Sequence, residues 1–223
     1  DGRLIALVAD GVSSAKQSHL GATMAVRQAT HWLKTQAPAK TAEFDWMALA
    51  REAAYALINQ AQAMLQLQDP PDVGTAEKEM ATTLLCAVIE PIGDSGLRAS
   101  IVGVGDSGAW VLRDGKFTPV LGGKTADESG ISSNAVAGLP RLPDTLEPSV
   151  VDIGIGDVLL LGTDGIGDPL GNGEGGVGNL LRELFGGSRP PSLIEFAHAM
   201  DFSRETFDDD RTLIALMPQH SEP

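Results

Sequence analysis

Four aspartates stand where an apolar, strand-like run meets a loop. Leu4–Ala9 runs into Asp10-Gly11, Ile101–Gly105 into Asp106-Ser107, and Val158–Thr163 into Asp164-Gly165. The fourth lies in Phe207-Asp208-Asp209-Asp210, directly before the run Thr212–Met217. Neighbouring strands of one sheet could gather these carboxylates, which repel one another unless a cation holds them. Hard divalent ions such as Mg²⁺ take oxygen ligands of this kind. Asp-Gly is also a favoured turn dipeptide, so each aspartate has a purely conformational explanation. That explanation suits Asp114-Gly115, which lies between the strand-like runs Ala109–Arg113 and Lys116–Val120 and reads as a hairpin. Four recurrences at the ends of long apolar runs favour a metal site for the others.

Composition narrows the setting. At 223 residues and 43% hydrophobic content, one domain with a sizeable core is expected. Aromatics make up only 4%, so aliphatic residues and alanine must fill that core. A formal net charge of −14 argues against nucleic acid or an anionic membrane as partner, since both need basic surface. The single Cys86 excludes an internal disulfide framework and a cysteine-rich zinc site. It sits inside the apolar run Leu84–Ile89 and reads as a core residue. His19, His31, His198 and His220 fit no zinc spacing. No apolar stretch reaches the ~20 residues of a membrane span, and no signal-peptide pattern opens the sequence. A soluble, cytoplasmic monomer is expected.

The elements that must position the aspartates follow from periodicity. Ser18 to Lys34 reads as a helix with Ala22, Val26, Ala29 and Leu33 on one face. A second runs from about Asp45 to Gln68, with Trp46, Leu49, Ala53, Leu57, Ala61 and Met64 along a stripe, and Asp69-Pro70-Pro71 ends it. After a polar connection come strand-like runs at Ala81–Glu90, Leu97–Gly105, Ala109–Arg113 and Lys116–Leu121. Residues 122–148, rich in Gly, Ser, Pro and Asp, read as a long surface loop, a length usually functional or mobile. Strands Ser149–Ile153 and Asp157–Thr163 follow, then the glycine-rich Gly171–Gly178 and a short helix, Val177–Phe185. Ser192-x-x-Glu195 matches a capping box that starts a further helix to about Phe202. Thr212–Met217 is the last strand. The order suggests an α+β layered architecture, two mainly antiparallel sheets covered outside by helix pairs.

The motifs in this order resemble the metal-dependent serine/threonine protein phosphatases of type 2C, the PPM family, particularly its bacterial members. Val8-Ala9-Asp10-Gly11 is similar to the family's first Asp-Gly motif, and Ala81-Thr82-Thr83-Leu84 to its small-residue-Thr strand start. Gly105-Asp106-Ser107-Gly108-Ala109-Trp110, with Leu112-Arg113-Asp114-Gly115, resembles its Gly-Asp-Ser-Arg strand and hairpin. Leu161-Gly162-Thr163-Asp164-Gly165-Ile166 is similar to its Ser/Thr-Asp-Gly motif, and Asp209-Asp210-Arg211-Thr212 to its closing one. Each is weak alone; five in order over about 200 residues are specific.

The resemblance implies a four-layer α-β-β-α sandwich and a single phosphatase-like domain over residues 1–223. It implies two Mg²⁺ or Mn²⁺ ions, with Asp10 bridging them, the Gly11 carbonyl on one, and Asp164 and Asp209 completing the first ion's shell. Asp106, with Asp164, matches the pair that holds a third, weaker ion. Asp210 stands where the family often has Asn and is not expected to be a ligand, while Thr82 and Thr83 are expected to be structural. The implied reaction is hydrolysis of phosphoserine and phosphothreonine in proteins, by way of Asp10, Asp164 and Asp209 and a metal-held water, opposing a serine/threonine kinase.

Departures keep other readings open. Relatives carry a phosphate-gripping arginine and an acidic pair on a strand before the first Asp-Gly, and residues from Asp1 onward begin too late to include it, so either that strand lies upstream of Asp1 or the site is incomplete. Val12-Ser13-Ser14-Ala15 replaces a glycine-rich or histidine-containing continuation, and Gly108 stands where arginine is usual. The span between Asp106 and Asp164 is short, so a substrate flap would have to come from residues 122–148. A pseudophosphatase that binds a partner without turnover is therefore one alternative, and a hydrolase of small phosphorylated molecules another.

Overall fold

A computed structural model of the chain describes residues 2–93, 96–122, 138–187, 189–202 and 209–219. In chain order these contain β1 (Leu4–Val8), α1 (Ser18–Thr35), α2 (Trp46–Leu65), α3 (Val73–Met80), β2 (Leu84–Ile92), β3 (Gly96–Val104), β4 (Gly108–Arg113) and β5 (Lys116–Leu121). Then come β6 (Ser149–Ile153), β7 (Val158–Gly162), α4 (Asp164–Leu170), α5 (Gly176–Phe185), α6 (Leu193–Met200) and β8 (Leu213–Leu216). The strands form two four-stranded antiparallel sheets, in the orders β1-β2-β3-β6 and β5-β4-β7-β8.

Period-two alternation in fully apolar strands builds four layers from these parts. On β2, Leu84, Cys86 and Val88 face the core shared with α1 and α2, while Leu85, Ala87 and Ile89 face the second sheet. On β7, Leu159 and Leu161 point between the sheets, and Val158 and Leu160 point outward to Val177, Leu181 and Phe185 of α5. A sheet covered on both faces needs apolar residues at every position, which is why these strands read as unbroken hydrophobic runs. The α-β-β-α sandwich expected from the sequence is the fold observed. Alanine does much of the filling on the helical side, with Ala25, Ala29, Ala53 and Ala61 fully buried. Cys86 is buried as expected, and burial pushes its thiol up to about 12.

Several elements differ from expectation. The buried stripe of α1 is Gly21, Ala25, Ala29, Trp32 and Leu33, rotated so that Ala22 and Val26 lie only half-buried. Among the described residues α1, α2 and α3 cover one sheet and α4, α5 and α6 the other, a third helix joining each pair. The polar connection after Pro71 contains α3, whose start is fixed by Asp72: Thr75 N–H donates to Asp72 Oδ1 at 3.0 Å and Thr75 Oγ1 to Oδ2 at 2.8 Å. Asp164 does not simply enter a loop but opens α4, held down by buried Ile166 and Leu170. Of the long segment 122–148, residues 123–137 lie outside the described residues, as does His220. Residues 138–148 are no free surface loop, because Leu139 is fully buried and its carbonyl accepts from Thr82 N–H at 3.0 Å. The capping box on α6 is present in both directions. The Asp114-Gly115 hairpin is also as read, with φ of 50° and 73° at its two central residues.

Candidate active site

Antiparallel register sends the aspartates to one end of the sandwich. In the first sheet Val8 pairs with Leu85, and Leu84 with Val104. The exits of β1 and β3 therefore lie on either side of the entry to β2. In the second sheet Gly162 pairs with both Gly108 and Leu213, which aligns the exit of β7 with the entries to β4 and β8. β1 also packs against β7 and β8 of the second sheet. Asp10, Asp106, Asp164 and Asp209 come together there, and Asp10 is the one on which the other three act. Asp114 lies at the far end of β4, away from the cluster.

Hydroxyl groups fix the main chain that carries the acids. Thr83 N–H donates to the Asp10 carbonyl at 2.7 Å, Asp10 N–H donates to Thr83 Oγ1 at 2.9 Å, and Thr82 Oγ1 donates to the same carbonyl at 2.7 Å. Thr82 and Thr83 are thus structural, as expected, and their structural duty is the placement of Asp10. Gly11 sits opposite Thr82 in a bridge whose hydrogen bonds run through its neighbours, Val12 N–H to Ala81 and Thr83 N–H to Asp10. In such a non-hydrogen-bonded pair, the Gly11 carbonyl is turned away from the Thr82 side.

On the second sheet Thr163 is the counterpart clamp. Its N–H donates to the Thr212 carbonyl at 3.1 Å, its Oγ1 accepts from Thr212 N–H at 3.2 Å and donates to the Asp210 carbonyl at 3.3 Å. Asp164 Oδ1 accepts from Gly165 N–H, and Asp209 Oδ1 from Asp210 N–H, each at 2.8 Å. Two close approaches need glycine. A Cβ on Gly11 would lie 2.6 Å from Ser18 Cβ at the start of α1, and one on Gly165 would strike the Asp210 carbonyl oxygen. Asp210 contributes its backbone carbonyl to this contact and to the Thr163 hydroxyl. Thr163 and Ser107 were not singled out from the sequence. The signal for both was present, a hydroxyl residue directly beside a strand-end aspartate.

The electrostatics of the cluster are those of crowded acids. Asp10 is pushed from 3.8 up to about 7, first by burial, next by its hydrogen bond with the Asp164 carboxyl, then by the charges of Asp164, Asp209 and Asp106. A half-buried carboxyl facing other acids gives up its proton less readily, because like charges and desolvation both disfavour its ionised form. Among the described residues no group of three or more acid, imidazole or thiol side chains stands close enough together to hold a metal ion as placed. The arrangement is a contact pair, Asp10 and Asp164, with Asp106 and Asp209 at electrostatic range. A set of this kind, all oxygen and all anionic, fits a hard divalent cation that keeps several water ligands. His19 and His31 lie on α1 and His198 on α6, none of them part of this set.

The family model for protein phosphatase 2C matches residues 1–199 of the chain. No curated protein sequence matches it. Among solved structures, it is similar to PppA, a key regulatory component of T6SS in Pseudomonas aeruginosa, at 18% identity and a TM-score of 0.60, over 96% of this chain and 86% of that one. It is similar to the Mycobacterium tuberculosis serine/threonine phosphatase PstP/Ppp at 20% identity and a TM-score of 0.54, over 96% and 97%. A PstP catalytic domain in complex with two manganese ions matches at 18% identity and a TM-score of 0.52, over 89% of each chain.

Proposed function

This chain belongs to the protein phosphatase 2C family, and on that premise we propose that it hydrolyses phosphoserine and phosphothreonine in proteins with Mg²⁺ or Mn²⁺ held at its four-aspartate end. The observation that supports this most is the contact of Asp10 with Asp164, under the charges of Asp106 and Asp209, at the junction of the two sheets. Such a concentration of negative charge weakens the fold unless a cation offsets it. In this reading Asp10 and Asp164 are the central ligands and Asp209 completes their shell. The Gly11 carbonyl adds a neutral oxygen, and Asp106 serves a further, weaker ion together with Asp164. Bound there, a pair of divalent ions supplies a water of lowered pKa for in-line attack and offsets charge on the phosphoryl oxygens. The chain's own share is to hold the carboxylates in place through Thr82, Thr83 and Thr163. No cysteine nucleophile is needed, and Cys86 is too deeply buried and too weakly acidic to serve. We place the activity in the cytoplasm, reversing a serine/threonine kinase.

The test is hydrolysis of p-nitrophenyl phosphate and of phosphopeptides with Mn²⁺, with EDTA, and after Asp164→Ala. Loss of an outer-shell partner alone costs a metal enzyme about 10–100-fold, so loss of Asp164 is expected to cost no less. Turnover indifferent to both EDTA and the substitution would sink the metal mechanism. Mn²⁺ uptake without turnover on any phosphopeptide would replace the enzyme with a binding module.

A further inference from the structure

Two buried hydroxyl groups join aspartates that arrive from different strands. Thr83 Oγ1 accepts from the Asp10 N–H at 2.9 Å and lies 2.8 Å from Ser107 Oγ. With the Thr83 N–H on the Asp10 carbonyl, residue 83 grips both polar groups of the Asp10 main chain. Thr83 is 2% exposed and Ser107 3%, so neither hydroxyl can turn to bulk water. One Thr83 lone pair is taken by Asp10 N–H, which leaves one proton and one lone pair for Ser107. Ser107 directly follows Asp106 and directly precedes β4, where the chain crosses from one sheet to the other. The path Asp10 N–H, Thr83 hydroxyl, Ser107 hydroxyl therefore ties the exit of β1 to the segment bearing Asp106.

We infer that Thr83 and Ser107 are positioning residues, whose hydroxyl pair fixes Asp106 relative to Asp10 and so sets how tightly the cluster holds a divalent cation. The inference rests on the cation-binding reading above and deepens it. A general packing role is a different proposition, because valine would fill the space of Thr83 without the tether. Thr83→Val removes the hydroxyl, Thr83→Ser keeps it, and Ser107→Ala cuts only the outer half of the path.

Mn²⁺ is titrated calorimetrically into each metal-stripped protein, with thermal unfolding in EDTA measured alongside. Thr83→Val is expected to raise the Mn²⁺ dissociation constant about ten-fold, Ser107→Ala by less in the same direction, and Thr83→Ser to stay within about three-fold of wild type. A packing role alone would lower the unfolding temperature in EDTA and leave the Mn²⁺ constant unmoved. Wild-type affinity in Thr83→Val overturns the inference. Should that variant not fold, wild-type affinity in Ser107→Ala overturns it equally. Failure of the wild-type protein to take up Mn²⁺ is a separate result, which removes the cation-binding reading and this inference with it.

Discussion

Asp-Gly does two different physical jobs in this chain. At Asp114-Gly115 both residues take left-handed φ, and the glycine serves the backbone of a tight hairpin. Neither Gly11 nor Gly165 has a positive φ. Their requirement is room, for Ser18 in one case and for the Asp210 carbonyl in the other. A sequence shows the same dipeptide in all three places, so turn and close approach were indistinguishable until the neighbours were known. The consequence is testable at Gly165. An alanine methyl there collides with backbone rather than with a yielding side chain, and overpacking of that kind costs about 1–3 kcal/mol. Gly165→Ala is expected to lower the urea midpoint and, by pushing the Asp209-Asp210 segment away from Asp164, to reduce phosphatase turnover. Unchanged denaturation and unchanged turnover would show that the segment gives way freely.

The elements were legible in proportion to how far burial dictates their residues. β2, β4 and β7 are covered on both faces and announce themselves as apolar runs, with bounds within a few residues of those observed. α4 was illegible for the opposite reason. Asp164-Gly165-Ile166-Gly167-Asp168-Pro169-Leu170 has poor intrinsic helix propensity, and its helix is held by burial of Ile166 and Leu170, a tertiary effect. α3 lay between, since the Asp72-x-x-Thr75 cap was readable but followed two prolines. Away from the aspartates, elements are joined by a fork: Arg113 Nε and Nη2 donate to the Asp157 carboxylate at 2.9 and 2.7 Å, and Nη2 also reaches the Asp152 carbonyl at 2.9 Å. This fastens the end of β4 to the β6–β7 turn, across the two sheets. The Arg113 hydrogen bond, outweighing partial burial, holds Asp157 below its ordinary 3.8. A depressed carboxylate contributes stability that is present above its unfolded value and lost as pH falls through its folded one. Asp157→Asn is therefore expected to lower the urea midpoint at neutral pH, with the difference from wild type narrowing as pH falls below the ordinary 3.8 and vanishing once the folded carboxylate is protonated. A gap that persists undiminished in acid would mean that the ion pair is not its source.

At the scale of the whole molecule, the order of the strands could be read from the chain, but the assignment of each strand to a sheet could not. Nothing in Ser149–Ile153 says that β6 leaves its sequence neighbours β5 and β7 in the second sheet and pairs with β3 in the first. Such pairing is set by which edge remains open after β1, β2 and β3 have joined, a property of the assembled sheet. The same return of β6 means that covalent continuity is not what holds this protein together. Were the backbone severed once between Gly122 and Gly138, the later piece would still be threaded into both sheets, through Leu97–Ile153 to Ile101–Ser149 in one and Gly108–Gly162 to Leu112–Val158 in the other. Leu139 would remain hydrogen-bonded to Thr82 as a third attachment. A protein nicked there is expected to elute as one species in size exclusion while giving two bands in a denaturing gel, and separation of the bands on the column would refute it. The two pieces would part only when the sandwich itself unfolds, so a single cut would leave a noncovalent pair with Asp10 and Asp106 on one partner and Asp164 and Asp209 on the other.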